Sequence, residues 1–326
     1  MQGFRIIVIF LILFILIFTI INSYKVNEGF GTPANESEFK KVSIDEPKTG
    51  ITNVKTNLPL REYCIMASHN TALTGAYVNL DMITDVLKRG CRFMDLEVYS
   101  VDDKLVVAHS TDNANFNLDV ENTVPFGDVL NRIASDGFSG SSPNPNDPIF
   151  IQLRIKSKDY TNIDTIIKDK LGPRLYKTQL SKYQSNNEMM AKTPISQLMG
   201  KVIIIVEKDL NSKDKSLKCA NMESGRIDFR KYTKSRLTAE LITPPNIQND
   251  DIRTDVRFMK IVFPDTESNL DAKRLITDYG TQILANRFYK PDNTLTKYEK
   301  IFSDKGSAFV PISSMLTYFQ QLELNN

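Results

Sequence analysis

The chain has 326 residues, of which 41% are hydrophobic and 25% charged, the balance of a globular protein and not of a disordered or collagen-like one. Lys and Arg number 41 against 39 Asp and Glu, a net charge of +2, which leaves no electrostatic footprint for nucleic acid. Cys64, Cys91 and Cys219 are too few for a disulfide framework and lack the close spacing of a zinc site, while the length suits a large α/β barrel of about 250 residues with room to spare.

Ile6–Ile21 carries no charge and, with Phe4 and the Asn22–Tyr24 flank, reaches a length that spans a thin or adjusted bilayer. No small-residue cleavage site follows in Asn22–Val26, so residues 1–24 read as a retained, single-pass signal anchor at a membrane. Arg5 and the amino terminus face a single Lys25, so charge does not fix which side the rest of the chain occupies. Residues 25–60 are polar, with scattered Gly, Pro and Asn and no sustained periodicity. They read as a flexible tether with a root-mean-square reach of roughly 35 Å.

Beyond the tether, strands and helices alternate. Cys64–Ser68 reads as a short apolar strand. Asn79 then caps a helix that carries Leu80, Ile83 and Leu87 on one face and ends at Gly90. Phe93–Val98 and Leu105–Ala108 form a strand pair turned at Asp102 and Asp103. A helix is expected over Pro125–Ile133, a strand over Ile149–Ile155 and a helix over Asn162–Lys170. Val202–Val206 is a continuous apolar run, as in a strand buried on both faces. Met259–Phe263, a helix near Asp271–Tyr279 and a strand from Thr281 complete the series. This order predicts an α/β fold with a parallel sheet, closed as a (β/α)8 TIM-type barrel. Residues 208–225, rich in Lys, Ser and Asn, break the rhythm and divide a half-barrel at 61–207 from a second at 226–320.

In such a barrel the active site lies at the C-terminal ends of the strands. The only two histidines of the chain, His69 and His109, both fall at expected strand ends. Asp95 and Glu97 are two apart on one strand and therefore face the same side. Taken singly, each residue suits a packing or capping role. Together, two imidazoles, two carboxylates and the Asn70 amide suit acid–base work, with a hard cation a natural companion.

These residues lie in motifs that run in a fixed order: Ser68-His69-Asn70-Thr71 with Leu73-Thr74-Gly75, Arg89-Gly90-Cys91-Arg92, Asp95-Leu96-Glu97 and Val106-Val107-Ala108-His109. The series resembles the X region of the eukaryotic-type phosphatidylinositol-specific phospholipases C, within the PLC-like phosphodiesterase superfamily. Pro125–Leu130, Pro148–Leu153 and Gln197–Val202 continue the likeness. Tyr232–Lys234, Gly280–Ala285 and Phe309–Pro311 resemble the Y region more faintly.

The resemblance implies a membrane-anchored phosphoric diester hydrolase acting on phosphatidylinositol or a related lipid through attack of the neighbouring hydroxyl. A lipid-binding barrel without catalysis and a glycerophosphodiesterase-type hydrolase are the alternatives. By the same resemblance His69 would stabilise the pentacoordinate phosphorus, and His109 would protonate the leaving diacylglycerol oxygen. Asp95 would be both base and calcium ligand, with Asn70 and Glu97 completing three ligands. Where the family carries a fourth ligand, a Glu, this chain has Arg154, within Gln152-Leu153-Arg154-Ile155-Lys156. Calcium is therefore expected to bind weakly or to be replaced by the guanidinium. The substrate-binding candidates are Arg154, Lys156 and Lys208. The partner expected is a phospholipid membrane, with no obligate protein partner inferable. Ile205 and Glu207 stand where the family has phosphate-binding lysines, which favours a headgroup without ring phosphates. Leu73, Tyr77 and Val78 are candidates for touching lipid.

Overall fold

The structure, a computed structural model, describes residues 50–111, 117–157, 159–177, 187–207, 217–226, 228–237, 258–266 and 268–324. The expected anchor, the tether up to residue 49 and Lys208 lie outside the described residues. No helix among the described residues is long and apolar enough to cross a membrane.

The strands are β1 (Tyr63–Ser68), β2 (Phe93–Val101), β3 (Lys104–Val107), β4 (Val124–Pro125), β5 (Ile149–Ile155), β6 (Val202–Glu207), β7 (Met222–Ser224), β8 (Phe229–Thr233), β9 (Met259–Phe263), β10 (Ile283–Asn286) and β11 (Phe309–Pro311). The helices are α1 (Leu80–Lys88), α2 (Phe126–Gly137), α3 (Tyr160–Leu171), α4 (Asn187–Lys192), α5 (Ala272–Thr277), α6 (Asn293–Lys305) and α7 (Ile312–Leu324). Eight strands follow one another in the order β7-β6-β5-β2-β1-β10-β9-β8, every neighbouring pair parallel. The two end strands are joined by a short turn in which Gly225 N donates to Phe229 O at 2.9 Å. The sheet therefore curls into a nearly closed TIM-type barrel.

Each local feature has a sequence cause. Asn79 caps α1 by accepting from Asp81 N at 2.8 Å. Asp102 and Asp103 adopt φ of 47° and 59°, the left-handed pair that turns β2 tightly back into β3. The apolar strands β5 and β6 are covered on both faces: Phe93 and Phe150 stack inside the barrel with centroids 6.4 Å apart, while Ile149, Ile151 and Ile204 join α1, α2 and α3 in the outer core. β1 pairs with β2 only through Ala67 and Ser68, and β11 runs antiparallel along Tyr63–Ile65.

Three expectations need correction. The end of the stretch read as tether is docked: Ile51 is buried, Thr52 N donates to Gly306 O at 3.0 Å and Val54 N to Asp147 Oδ1 at 2.8 Å. Ile51 fills the space over Gly90, where a Cβ would stand 2.7 Å from its side chain. The stretch read as linker holds a barrel strand, β7, whose Met222 and Ser224 pair with Ile205 and Glu207. Its few apolar residues hid it. Leu73 and Val78 are buried, bridged to each other and packed in the outer core, and the Tyr77 hydroxyl donates to Glu121 at 2.6 Å. Leu73 and Val78 thus belong to the core and offer no lipid-facing surface.

Candidate active site

The parallel register places the site. Asp95 pairs with Gln152 and Glu97 with Arg154, and paired residues of parallel strands project to the same face. Arg154 therefore stands beside both carboxylates. Just past β1, Asn70 takes φ of 45°, a conformation that Asn tolerates better than most residues. That turn aims Asn70 N at Asp95 Oδ2, 3.1 Å away. Thr71 locks the corner, its hydroxyl accepting from Asp95 N at 3.0 Å and its own N–H donating to Asp95 O at 2.9 Å.

Two imidazole–carboxylate pairs result. His69 Nδ1 lies 2.7 Å from Asp95 Oδ2, and His109 Nδ1 lies 3.1 Å from Glu97 Oε2. Arg154 joins them. Its Nε donates to Asp95 Oδ1 at 2.9 Å and its Nη2 to Asp95 Oδ2 at 2.7 Å. Nη1 reaches Glu97 Oε1, and Nη2 also reaches Asn70 Oδ1. Glu97 Oε2 further accepts from the Tyr99 hydroxyl at 2.9 Å and from Ser110 N at 3.1 Å.

Burial by itself would raise the Asp95 carboxyl, but Arg154 and His69 overcome it and hold it well below the usual carboxylate range. Glu97 behaves alike: burial opposes ionisation, His109 and Arg154 favour it, and its pKa falls to about 2. The same two carboxylates hold Arg154 firmly charged against its burial. Burial pushes the His69 imidazole down, with Asp95 working in the opposite direction. One edge of the Phe263 ring packs on His69 at 5.2 Å between centroids. A recess of about 190 Å³, counting its open mouth, lies on the His109 side between Leu73, Val78, Leu96 and Val107.

Residues 56–208 match the family model of the phosphatidylinositol-specific phospholipase C X domain. A 90-residue stretch, 26% of this chain, is 33% identical to the Candida albicans 1-phosphatidylinositol 4,5-bisphosphate phosphodiesterase 1 and covers 8% of that protein. Among solved structures, PLC21 of L. pealei superposes with a TM-score of 0.62 at 15% identity, over 79% of this chain and 38% of that one. PLC21 of S. officinalis gives 0.61 at 16%, over 79% and 37%. The chain thus spans less than two fifths of each of these three proteins, and the structural likeness concerns the barrel.

The matched segment supplies both histidines, both carboxylates, Asn70 and Arg154, and the structure brings all six together. Two of the roles expected from the resemblance meet an unexpected arrangement. The donors expected to hold calcium, Asn70, Asp95 and Glu97, are all bonded to the Arg154 guanidinium. A hard cation that takes six to eight oxygens does not fit beside a guanidinium on those same oxygens. Among the described residues no group of three or more His, Cys, Asp or Glu is arranged to hold a metal. Asp95, in turn, is fully buried, and both its oxygens are engaged by His69, Asn70 N and Arg154. Lys156 lies two residues beyond Arg154, half-buried, its N–H donating to Val98 O at 2.7 Å.

Several residues around the site were not legible beforehand. Tyr99 sits two residues after Glu97 on the same face of β2, a spacing that could have nominated it. Phe263, Arg287 and Tyr289 come from strand ends beyond the matched segment. Arg287 donates to Pro264 O at 3.1 Å, and Tyr289 stands beside Asn70 and Arg287. No local motif announces them, because they meet the site only through barrel closure.

Proposed function

We propose that the chain is a membrane-anchored phospholipase C-like phosphodiesterase that cleaves phosphatidylinositol or a closely related lipid. The observation that carries this reading is the pair of imidazole–carboxylate couples flanking one guanidinium at the C-terminal mouth of a barrel. The residue 1–24 segment supplies the anchor, and the barrel works at the surface of that membrane.

The steps follow from this reading. Ionised Asp95 has no proton to give, so His69 carries one on Nδ1 and keeps Nε2 as the acceptor nitrogen. Its lowered basicity keeps that nitrogen unprotonated at neutral pH. His69 Nε2 takes the proton from the ring hydroxyl next to the phosphodiester. The hydroxyl oxygen attacks phosphorus, and a cyclic phosphate forms as the bond to the glycerol oxygen breaks. His109 delivers a proton to that leaving oxygen, with Glu97 as counter-ion while its ring is charged.

Arg154 stands where a metal would otherwise neutralise the phosphate oxygens, and it offers them the one N–H that Asp95, Glu97 and Asn70 leave, on Nη1. Asp95 and Glu97 fix the guanidinium and the two rings without touching the lipid. Phosphorus NMR of the full chain on phosphatidylinositol vesicles tests this sequence of bonds. A five-membered cyclic phosphate is expected as the first water-soluble product. An acyclic phosphomonoester with no cyclic precursor would mean that water attacks, as a glycerophosphodiesterase-type site requires.

A further inference from the structure

The charges around Arg154 do not by themselves favour a phosphate. Asp95 and Glu97 are both held ionised and both bonded to the one guanidinium. Even with His109 carrying the proton it delivers, the group has no net positive charge. A phosphodiester anion entering it needs a further cation to offset the cost of leaving water. Lys231 does not serve, because its Nζ is paired with Glu207 Oε1. Arg287 does. Ala67 pairs with Ala285 and Ser68 with Asn286, and His69 N donates to Asn286 O at 2.7 Å. His69 and Arg287 therefore stand side by side just past the ends of β1 and β10. The Arg287 guanidinium is held by two backbone carbonyls, Nη1 donating to Thr266 O at 2.5 Å and Nη2 to Pro264 O at 3.1 Å. No carboxylate among the described residues pairs with it, so its charge stays uncompensated. That charge is felt in the site, where burial first, and then Arg154 and Arg287, lower the His69 imidazole. Tyr289 stands beside both Arg287 and Asn70, and Asn70 is bonded to Arg154.

We propose that Arg287 is a second phosphate-binding residue of this site, holding the non-bridging oxygen of the scissile phosphodiester that Arg154 does not reach. The inference rests on the phosphodiesterase reading. The single N–H that Arg154 has left suits one non-bridging oxygen. With the attacking hydroxyl at His69 Nε2, phosphorus lies next to that imidazole, and Arg287 stands at the neighbouring strand end. Each of its terminal nitrogens carries a second N–H for the other oxygen. The two carbonyls fix the guanidinium before the lipid arrives, so little reorganisation is left for the reaction itself. As negative charge builds on the phosphoryl oxygens, an uncompensated guanidinium gains more from it than one already shared between two carboxylates.

The test measures cleavage by the full chain of phosphatidylinositol carried in phosphatidylcholine vesicles, and of its two phosphorothioate diastereomers, in which sulfur replaces one or the other non-bridging oxygen. Arg287→Met is expected to lower kcat/KM on the natural lipid about 10²-fold. Arg287→Lys keeps the charge but loses the planar fork, and should lose only about tenfold. In the unaltered chain each sulfur weakens one guanidinium contact and slows cleavage. In Arg287→Met the slowing by one diastereomer should vanish while the slowing by the other remains. A purely structural role, in which Arg287 only ties down the Pro264–Thr266 loop, would lower all three rates in proportion. That outcome, or an unmoved kcat/KM in Arg287→Met, overturns the inference and leaves the phosphodiesterase reading standing. Cleavage of none of the three lipids by the unaltered chain overturns the phosphodiesterase reading and the inference with it.

Discussion

Arg154→Met is expected to abolish turnover and weaken the fold at once. Arg154 is the cation for two buried carboxylates, bonded twice to Asp95 and once to Glu97. Breaking a buried charge pair by removing one partner costs about 3–5 kcal/mol, because the other charge is left uncompensated. Loss of a preorganised donor to the phosphate should lower kcat by a further factor of about 10²–10³. Urea denaturation and vesicle turnover read the two effects separately. The sign with pH follows from the shifts. Asp95 and Glu97 are held below their ordinary values, so their contribution is present above about pH 4.5 and is lost as pH falls towards the lowered values. The urea midpoint of the unaltered chain should therefore drop on acidification below pH 4.5. In Arg154→Met it should not, because buried carboxylates without their cation prefer to be protonated.

The second large effect concerns the histidines. His69→Ala and His109→Ala are each expected to reduce kcat by about 10²–10⁴-fold, while the double variant should lose much less than the product of the two. Residues that act in one concerted proton transfer are strongly non-additive. The two differ in a way that identifies their roles. A substrate with a better leaving group than diacylglycerol needs less help from a general acid, so it should restore much of the rate to His109→Ala and little to His69→Ala. Equal rescue of both variants would contradict the assignment of base to His69 and acid to His109.

How far the molecule was legible depended on where its information lay. Val202–Val206 announced a strand because every residue in it is apolar, and Asn79, Asp102 and Asp103 marked their cap and turn by local chemistry. Strand β8 did not announce itself. It reads Phe-Arg-Lys-Tyr-Thr, because its inner face gives Lys231 to the polar mouth and leaves no alternating apolar pattern. The helices Asn293–Lys305 and Ile312–Leu324 likewise passed unread.

For the site, motif order located His69, Asn70, Asp95, Glu97, His109 and Arg154. What motif order could not give was which of them face the substrate. The expectation of Asp95 as base followed from the family resemblance. Arg154, His69 and Asn70 N together fill both of its oxygens, which is why the proposed mechanism gives the base to His69 instead. Arg154 itself stood out in the sequence as the wrong residue for a calcium ligand, and three-dimensional register was needed to show that it binds all three of the other expected ligands.

The central claim is that the guanidinium of Arg154 does the work of a metal. Inositol phosphate release from phosphatidylinositol vesicles, measured in a strong calcium chelator and again with added calcium, tests it most directly, with His69→Ala as the blank. Release above the blank that is equal in the two buffers is the expected result. Release that appears only with calcium would mean that Asn70, Asp95 and Glu97 leave Arg154 to bind the ion, and the account would be contradicted.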